Sequence, residues 1–404
     1  MGTSTIQAAR ADQFPIAKEL SVARIALTVI FFANGFGLSS WFPRIPDVRN
    51  RLDLSDGVLG LALLCPAIGA MLAMPLTGWL IGRLGSRRVT TLAAFVYCLA
   101  LPLPALSPSL AMLAIALFLI GVGNGALDVS MNAQGVAIEG RYGRPILASF
   151  HAAFSFGGLA GAVVAGFVAQ LGVAVGLHLV LVAAGLALVV LAATRRLLPT
   201  PVGRGAGSDH HGPAFVRPSG RLALIGAVAF CCLVGEGAVA DWSALYLSGP
   251  LAAGAGLAAA GYAAFSLMMA FGRLFGDHFA AAWGPVAVAR RGGLLTAVGL
   301  AVALAIDHPL AAIAGFAAVG AGLANIVPVA FSAGGRVRGV PAATGIAAVS
   351  TAGYAGFLAG PPVIGVVSEA VGLRVALALV AAMAVVIVRL AGSLSPEPVS
   401  EVVA

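Results

Sequence analysis

Charged residues are scarce in this chain: Asp, Glu, Lys and Arg together make up 9% of 404 residues, against roughly a quarter in an ordinary soluble domain. That scarcity excludes a molecule bathed mainly by water. Polar interruptions are missing too, since runs such as 110–124 and 373–388 lack the polar residue every three or four positions that a soluble amphipathic helix shows. With 60% hydrophobic residues and a mean hydropathy of +1.02, these runs must face lipid or other helices.

Cysteines are few and poorly placed for chemistry. Cys65, Cys98, Cys231 and Cys232 all sit inside apolar runs, with neither metal-ligand spacing nor the paired framework of a secreted scaffold, and read as small packing residues. The first twenty residues show no charged, then apolar, then small-residue cleavage order, so the first span itself is expected to direct insertion. The net charge of +8 is not gathered into a stripe but scattered in ones, twos and threes between apolar runs, which excludes a nucleic-acid partner. Gly121, Gly123 and Gly125 follow no strand and read as packing glycines rather than a nucleotide loop. Paired acids and histidines with metal spacing are absent, so no enzyme, metal or cofactor is expected, and the adjacent His210 and His211 read as solvated.

What is present is a series of membrane-length apolar segments. A bilayer core of roughly 30 Å takes about 20 helical residues. On that rule spans fall at 21–41, 57–81, 89–106, 110–138, 146–170 and 176–193, then at 222–247, 257–275, 292–306, 310–331, 344–367 and 373–390. The expected fold is an all-α membrane protein of about twelve transmembrane helices in two pseudo-symmetric six-helix bundles. These are residues 1–194 and 221–404, joined by a hydrophilic cytoplasmic linker at 195–220 rich in Pro, Gly, Ser, His and Arg. With both termini cytoplasmic, all but four of the 23 Lys and Arg residues fall on the cytoplasmic side, the exceptions being Arg44, Arg49, Arg51 and Arg374. Gly158, Ala160 and Gly161 of the fifth span are echoed by Gly353, Ala355 and Gly356 of the eleventh, half a chain later. Parallel repeats of this kind build one large class of secondary transporters.

After the second span come Gly78, Leu80, Gly82, Arg83, Gly85, Ser86, Arg87 and Arg88; after the eighth come Gly272, Arg273, Leu274, Phe275, Gly276 and Asp277. Both stretches resemble the loop signature of the major facilitator superfamily. The resemblance implies tight cytoplasmic turns and a gate locked by Arg83, Arg87, Arg88 and Arg273 together with Asp277. Gly82 stands where the first copy usually carries its acid. Gly125, Ala126, Leu127, Asp128, Val129, Ser130, Met131 and Asn132 resemble the fourth helix of the fucose-permease-like branch, which implies that Asp128 takes part in proton coupling. Similar stretches are Asp241, Trp242 and Ser243, then Asn325 to Pro328, then Gly360, Pro361 and Pro362. The first helix offers Asn34, Ser39 and Ser40 where the sugar-proton symporter carries an acid.

A charge at mid-membrane depth costs roughly 2.5 to 3.5 kcal/mol on insertion scales, which makes an intramembrane acid a functional candidate. At about 1.5 Å per residue, Asp128 lies roughly 14 Å from the cytoplasmic end of its span, and Glu236 about as far from the outer end of its own. No Lys or Arg is expected at comparable depth, so Asp128 first and Glu236 second are the proton-coupling candidates. The alternative is a neutral acid hydrogen-bonded between helices. Asn124, Asp128 and Asn132 recur at i, i+4 and i+8, one stripe that must turn away from lipid; His151 and Ser155 repeat the pattern on the fifth span. The expected substrate contacts are Asn34, Asn124, Asn132, His151, Ser155, Asp241, Trp242, Asn325, Ser350 and Tyr354, with Thr351 and Tyr262 nearby. Trp41 and Tyr246 read as interfacial anchors.

These features imply a proton-coupled secondary transporter in the cytoplasmic (inner) cell membrane, with a small-molecule substrate, a proton and membrane lipid as partners; the resemblance to the superfamily implies that it works as a monomer. A cavity without a deep cation disfavours anions and leaves neutral polyols or sugars, or organic cations; the resemblance to the fucose-permease-like branch puts a sugar-like or other neutral polar solute first. The alternatives are a proton-driven exporter of cationic drugs or metabolites, and a membrane sensor on a transporter scaffold.

Overall fold

A computed structural model describes residues 3–142, 146–199, 220–338, 340 and 342–395. Among the described residues twelve helices are long and apolar enough to cross a membrane. They are α1 (Glu19–Leu52), α2 (Asp56–Leu84), α3 (Ser86–Leu106), α4 (Leu110–Tyr142), α5 (Ser149–Gln170) and α6 (Val175–Thr194), followed by α7 (Gly220–Ser248), α8 (Ala255–Leu274), α9 (His278–Ile306), α10 (Pro309–Gly334), α11 (Ala348–Val371) and α12 (Leu373–Leu394). No strand occurs among the described residues. The even count puts the start of α1 and the end of α12 at one face, called the near face below; the other is the far face.

Departures from straight helices follow the residues that break them. α1 runs unbroken to Trp41 and then turns through a short 3-10 segment, Phe42–Arg44, into Ile45–Leu52, which lies along the far face. α10 is interrupted at Asn325, because Pro328 has no N–H to bond the carbonyl four residues back. The stretch between α8 and α9, expected as a loop, is helical from Gly276 and breaks at Gly284 (φ 74) just before Pro285. Its first part is held by Phe279 stacked on Trp283 at 4.8 Å, with Arg291 over the Trp283 ring at 4.4 Å, the composition of a segment lying at a membrane interface.

Small residues set the helix pairings. Gly157 and Gly161 of α5 lie against the carbonyls of Phe32 and Phe36 of α1, and Gly356 of α11 lies likewise against Phe230 of α7, so the echo read in the sequence does the same job twice. Gly121 of α4 on Pro66 of α2 is matched by Gly320 of α10 on Phe265 of α8. Residues 200–219, including His210 and His211, lie outside the described residues. The start of the expected linker is packed, with Leu197 and Leu198 buried and the Leu198 carbonyl accepting from Gln134 Nε2 at 3.0 Å.

The described contacts between the two halves gather at the far face. One apolar cluster there joins Trp41, Ile45, Val48 and Leu59 to Trp242, Leu245, Tyr246 and Ile364. Trp41 and Tyr246, expected as interfacial anchors, are therefore core residues; the Tyr246 hydroxyl donates to Asp307 at 3.2 Å. Each of the four arginines outside the near-face bias has a local partner. Arg44 pairs with Asp47 at 2.7 Å, Arg49 with Asp56 at 2.8 Å and Arg374 with Asp307 at 3.2 Å, while Arg51 donates to the carbonyls of Pro104, Ala105 and Ser107.

A polar latch crosses between the halves beside this cluster. Glu369 of α11 accepts from Ser55 Oγ at 2.9 Å and from the Gly57 N–H at 2.8 Å, which puts its charge on the N-terminal end of α2, and Ser368 bonds Asp56. Removing the carboxylate with Glu369→Ala should weaken far-face closure by about 1 kcal/mol, roughly fivefold in the population of closed molecules. Maleimide labelling of a cysteine at Ser39, buried between the halves against Tyr262, is expected to quicken by that factor; an unchanged rate would show that the latch is idle.

Candidate functional site

The stripe on α4 forms as its spacing requires. Asn132 Nδ2 donates to Asp128 Oδ1 at 3.1 Å and to the Asp128 backbone carbonyl at 2.9 Å, and both side chains are only half-buried. Among the described residues no cation pairs with Asp128. Tyr354 of α11, from the other half, lies within its electrostatic reach, and Ser350 stands one turn away on the same helix. Asn124 Oδ1 and Asn34 Oδ1 are buried with no hydrogen-bond partner among the described residues, acceptors that call for a donor. The Asn34 carbonyl is taken by the Tyr97 hydroxyl at 3.0 Å.

Across the interface the structure departs from the expectation of a cavity without cations. Arg273 of α8 reaches Glu236 of α7, with Nη2 to Oε2 at 3.4 Å, and Cys232 Sγ donates to the same carboxylate at 3.7 Å. The physical reason is reach: the residue belongs to the last turn of α8, but its long stem carries the guanidinium inward along the helix. Glu236 is thus a compensated acid, and Arg273 pairs inside the bundle as well as belonging to the signature. His151 of α5 faces Arg273 within electrostatic range, its ring 5.3 Å from Phe31. Asp241 is half-buried and has no hydrogen bond or ion pair among the described residues.

Three expected substrate contacts are placed elsewhere. Trp242 is fully buried in the far-face core beside Gly365, so its ring packs helices together instead of lining a cavity. Asn325 donates to the Gly272 carbonyl at 2.9 Å and ties the break in α10 to the end of α8. Ser155 is buried and spends its hydroxyl on the His151 carbonyl at 3.2 Å. Among the residues expected to gate, Arg83 is exposed over the Trp79 ring at 4.1 Å, Arg87 donates to the Arg195 carbonyl at 2.7 Å, and Arg88 is exposed. The side chain of Asp277 lies outside the described residues.

Sequence reasoning set Tyr262 beside the substrate contacts but missed its partners at the far-face roof of this site. Tyr262 of α8 shares a hydrogen bond with Ser39 of α1 at 3.2 Å, with Phe42 4.8 Å from its ring, and it stands near both Glu236 and Asp241. A hydroxyl-bearing aromatic inside an apolar span was the available signal. It also missed Glu139, which accepts the N–H groups of Ile146 and Leu147 at 2.7 and 2.9 Å and caps the start of α5.

The polar groups so arranged lie inside a twelve-span helical bundle, and likeness to known proteins decides what kind of bundle it is. The family model described as the Major Facilitator Superfamily matches residues 27–339. The chain belongs to the Major Facilitator Superfamily. An uncharacterized MFS-type transporter of Yersinia pestis is 40% identical over 89% of this chain and 92% of its own length. The membrane protein MosC of Rhizobium meliloti is 35% identical over 92% of this chain and 89% of its own. Among solved structures the nucleoside transporter NupG, in a mutant form, superposes with a TM-score of 0.73 at 14% identity, covering 92% of this chain and 99% of that one. A bacterial homolog of the human lysosomal transporter Spinster gives 0.67 at 18% identity, covering 93% and 96%. Both structural likenesses are of fold. This superfamily member is a multi-pass membrane transporter that moves a small molecule, not an enzyme.

Proposed function

We propose that this transporter couples the movement of a small polar solute to a proton carried by Asp128. The observation that carries the reading is the position of Asp128: on a polar stripe, hydrogen-bonded by Asn132, facing Tyr354 of the other half, and with no cation partner among the described residues. A carboxylate there is neutralised most readily by a proton or by a positively charged solute. Glu236 is the weaker candidate, because Arg273 already compensates it.

The charge inventory supports a solute without net negative charge. Arg273 is paired, whereas Asp128 and Asp241 are not, and the orphaned acceptors of Asn34 and Asn124 suit a solute rich in hydroxyl or ammonium donors. A sugar-like or other neutral polar compound is the first reading. A cationic solute exchanged for protons is the second, favoured by the same uncompensated acids. The resemblance of residues 125–132 to the fucose-permease-like branch supports the first.

The two halves, residues 1–194 and 221–404, then rock as six-helix bundles about this site, and the far-face latch supports a resting state open toward the near face. All but four of the Lys and Arg residues fall toward the near face, which supports cytoplasmic termini in an inner membrane, and the chain works as a monomer. Purified protein in proteoliposomes, challenged with sugars, polyols, amino acids and organic cations, should show external pH changes with one class only. A panel in which anionic solutes alone moved protons would overturn this charge assignment.

A further inference from the structure

A groove of about 290 Å³ opens on the membrane side of the N-terminal half, where α2 and α3 diverge over α4. Its walls are Leu72, Leu76 and Leu80 of α2 and Leu92 and Val96 of α3, and its floor includes Val122 of α4. The one hydroxyl in it, that of Thr77, is spent on the Ala73 carbonyl at 2.8 Å, so the surface offered is hydrocarbon. Leu72 and Leu76, 64% and 57% exposed, mark its open side.

The groove ends at charge. From Leu72 to Arg83 the rise is roughly 16 Å, about half of a 30 Å hydrocarbon core, so the groove spans one leaflet and its mouth lies at headgroup level. Arg83 is held there over the half-exposed Trp79, and Arg88 stands exposed just past the tight turn at Gly85 (φ 80). No Asp or Glu occurs in the sequence between Asp56 and Asp128, and Gly82 stands beside Arg83, so this arginine corner has no carboxylate on its own helices. An apolar slot one acyl chain long beneath two exposed arginines, with no ion pair to either among the described residues, is complementary to one class of molecule.

We propose that the α2–α3 groove binds one acyl chain of an anionic phospholipid whose phosphate is held by Arg83 and Arg88. The site is separate from the polar cavity and does not depend on the transport reading. Bound lipid would splint α2 to α3, two helices that otherwise diverge.

The test is lipid retention by the full chain in detergent, read by native mass spectrometry, with phosphatidylglycerol against phosphatidylcholine. Wild type should retain phosphatidylglycerol preferentially. Arg83→Gln and Arg88→Gln should each lower that retention about fivefold with phosphatidylcholine unaffected, the worth of one arginine near an anionic headgroup. Leu76→Trp, which fills the groove and leaves the charges, should lower retention of both lipids. The proposal is overturned if Arg83→Gln/Arg88→Gln keeps its preference, if Leu76→Trp retains lipid like wild type, or if inorganic phosphate displaces the lipid as well as phosphatidylglycerol does. All three substituted side chains are solvent- or lipid-facing, so folding should survive, as size-exclusion profiles would verify.

Discussion

Gly365→Trp is expected to abolish transport while leaving the protein folded and inserted. Gly365 lies where α11 crosses α2 at the far face. A Cβ there would sit 2.6 Å from the Asp56 carbonyl oxygen and 3.0 Å from the Gly60 Cα, and the reciprocal Cβ on Gly60 would sit 2.6 Å from the Pro361 oxygen. These are backbone atoms of the opposite half, so no side chain can move aside, and an indole demands that the halves separate. Of the three nearest atoms only one belongs to the same half, the end of the Trp242 side chain of α7 at 3.3 Å, which is why loss of closure rather than loss of fold should follow. Proton movement driven by any transported solute should fall at least tenfold, and maleimide should label a cysteine at Ser39 at least tenfold faster than in the unsubstituted background. Loss of transport with unchanged labelling would mean that the substitution damages folding and that the crossing is no gate.

The second large effect is on stability. Glu236→Gln leaves the Arg273 guanidinium partly buried without its counter-charge. Breaking a buried pair by removing one partner costs about 3 to 5 kcal/mol; the lower figure applies here, because Arg273 keeps 33% of its side chain exposed while Glu236 keeps 13%. A companion Arg273→Gln should be destabilising as well, and the double variant should recover most of the loss, giving a coupling energy of about 2 kcal/mol in a denaturation cycle. Additive single losses would show the pair to be screened by water in the cavity. The same variant separates two roles, since proton movement by Glu236→Gln protein that remains folded removes Glu236 from the coupling role and leaves it to the unpaired acids, Asp128 first.

The helices were legible because their signal is long and redundant: each of the twelve spans rests on about twenty residues of hydropathy, so an error of a few residues at an end changes nothing. The stripe of Asn124, Asp128 and Asn132 was legible for a related reason, since i and i+4 spacing on a helix fixes geometry without tertiary knowledge. Arg273 was misjudged because depth was counted along the backbone, whereas an arginine stem carries its charge well away from its own Cα, here inward. Trp242 and Tyr246 were misjudged because an aromatic residue near a span end is compatible with interface, cavity or core, and only the crossing at Gly365 decides among them. The latch of Ser55, Asp56 and Glu369 could not be read at all, because its partners are more than 300 residues apart and lie at helix ends whose polarity looks ordinary.

Whether Asp128 carries the coupled proton is decided by comparing Asp128→Asn with wild type in proteoliposomes under two regimes. Asparagine keeps the size and the hydrogen bond with Asn132 but cannot change charge. Counterflow exchange of the solute, with no net proton movement, is expected to persist near the wild-type rate, whereas solute-driven pH change and uphill accumulation disappear. Accumulation against a gradient by the variant at wild-type levels would contradict the proton-carrying role and leave Asp128 as a structural hydrogen-bonding residue.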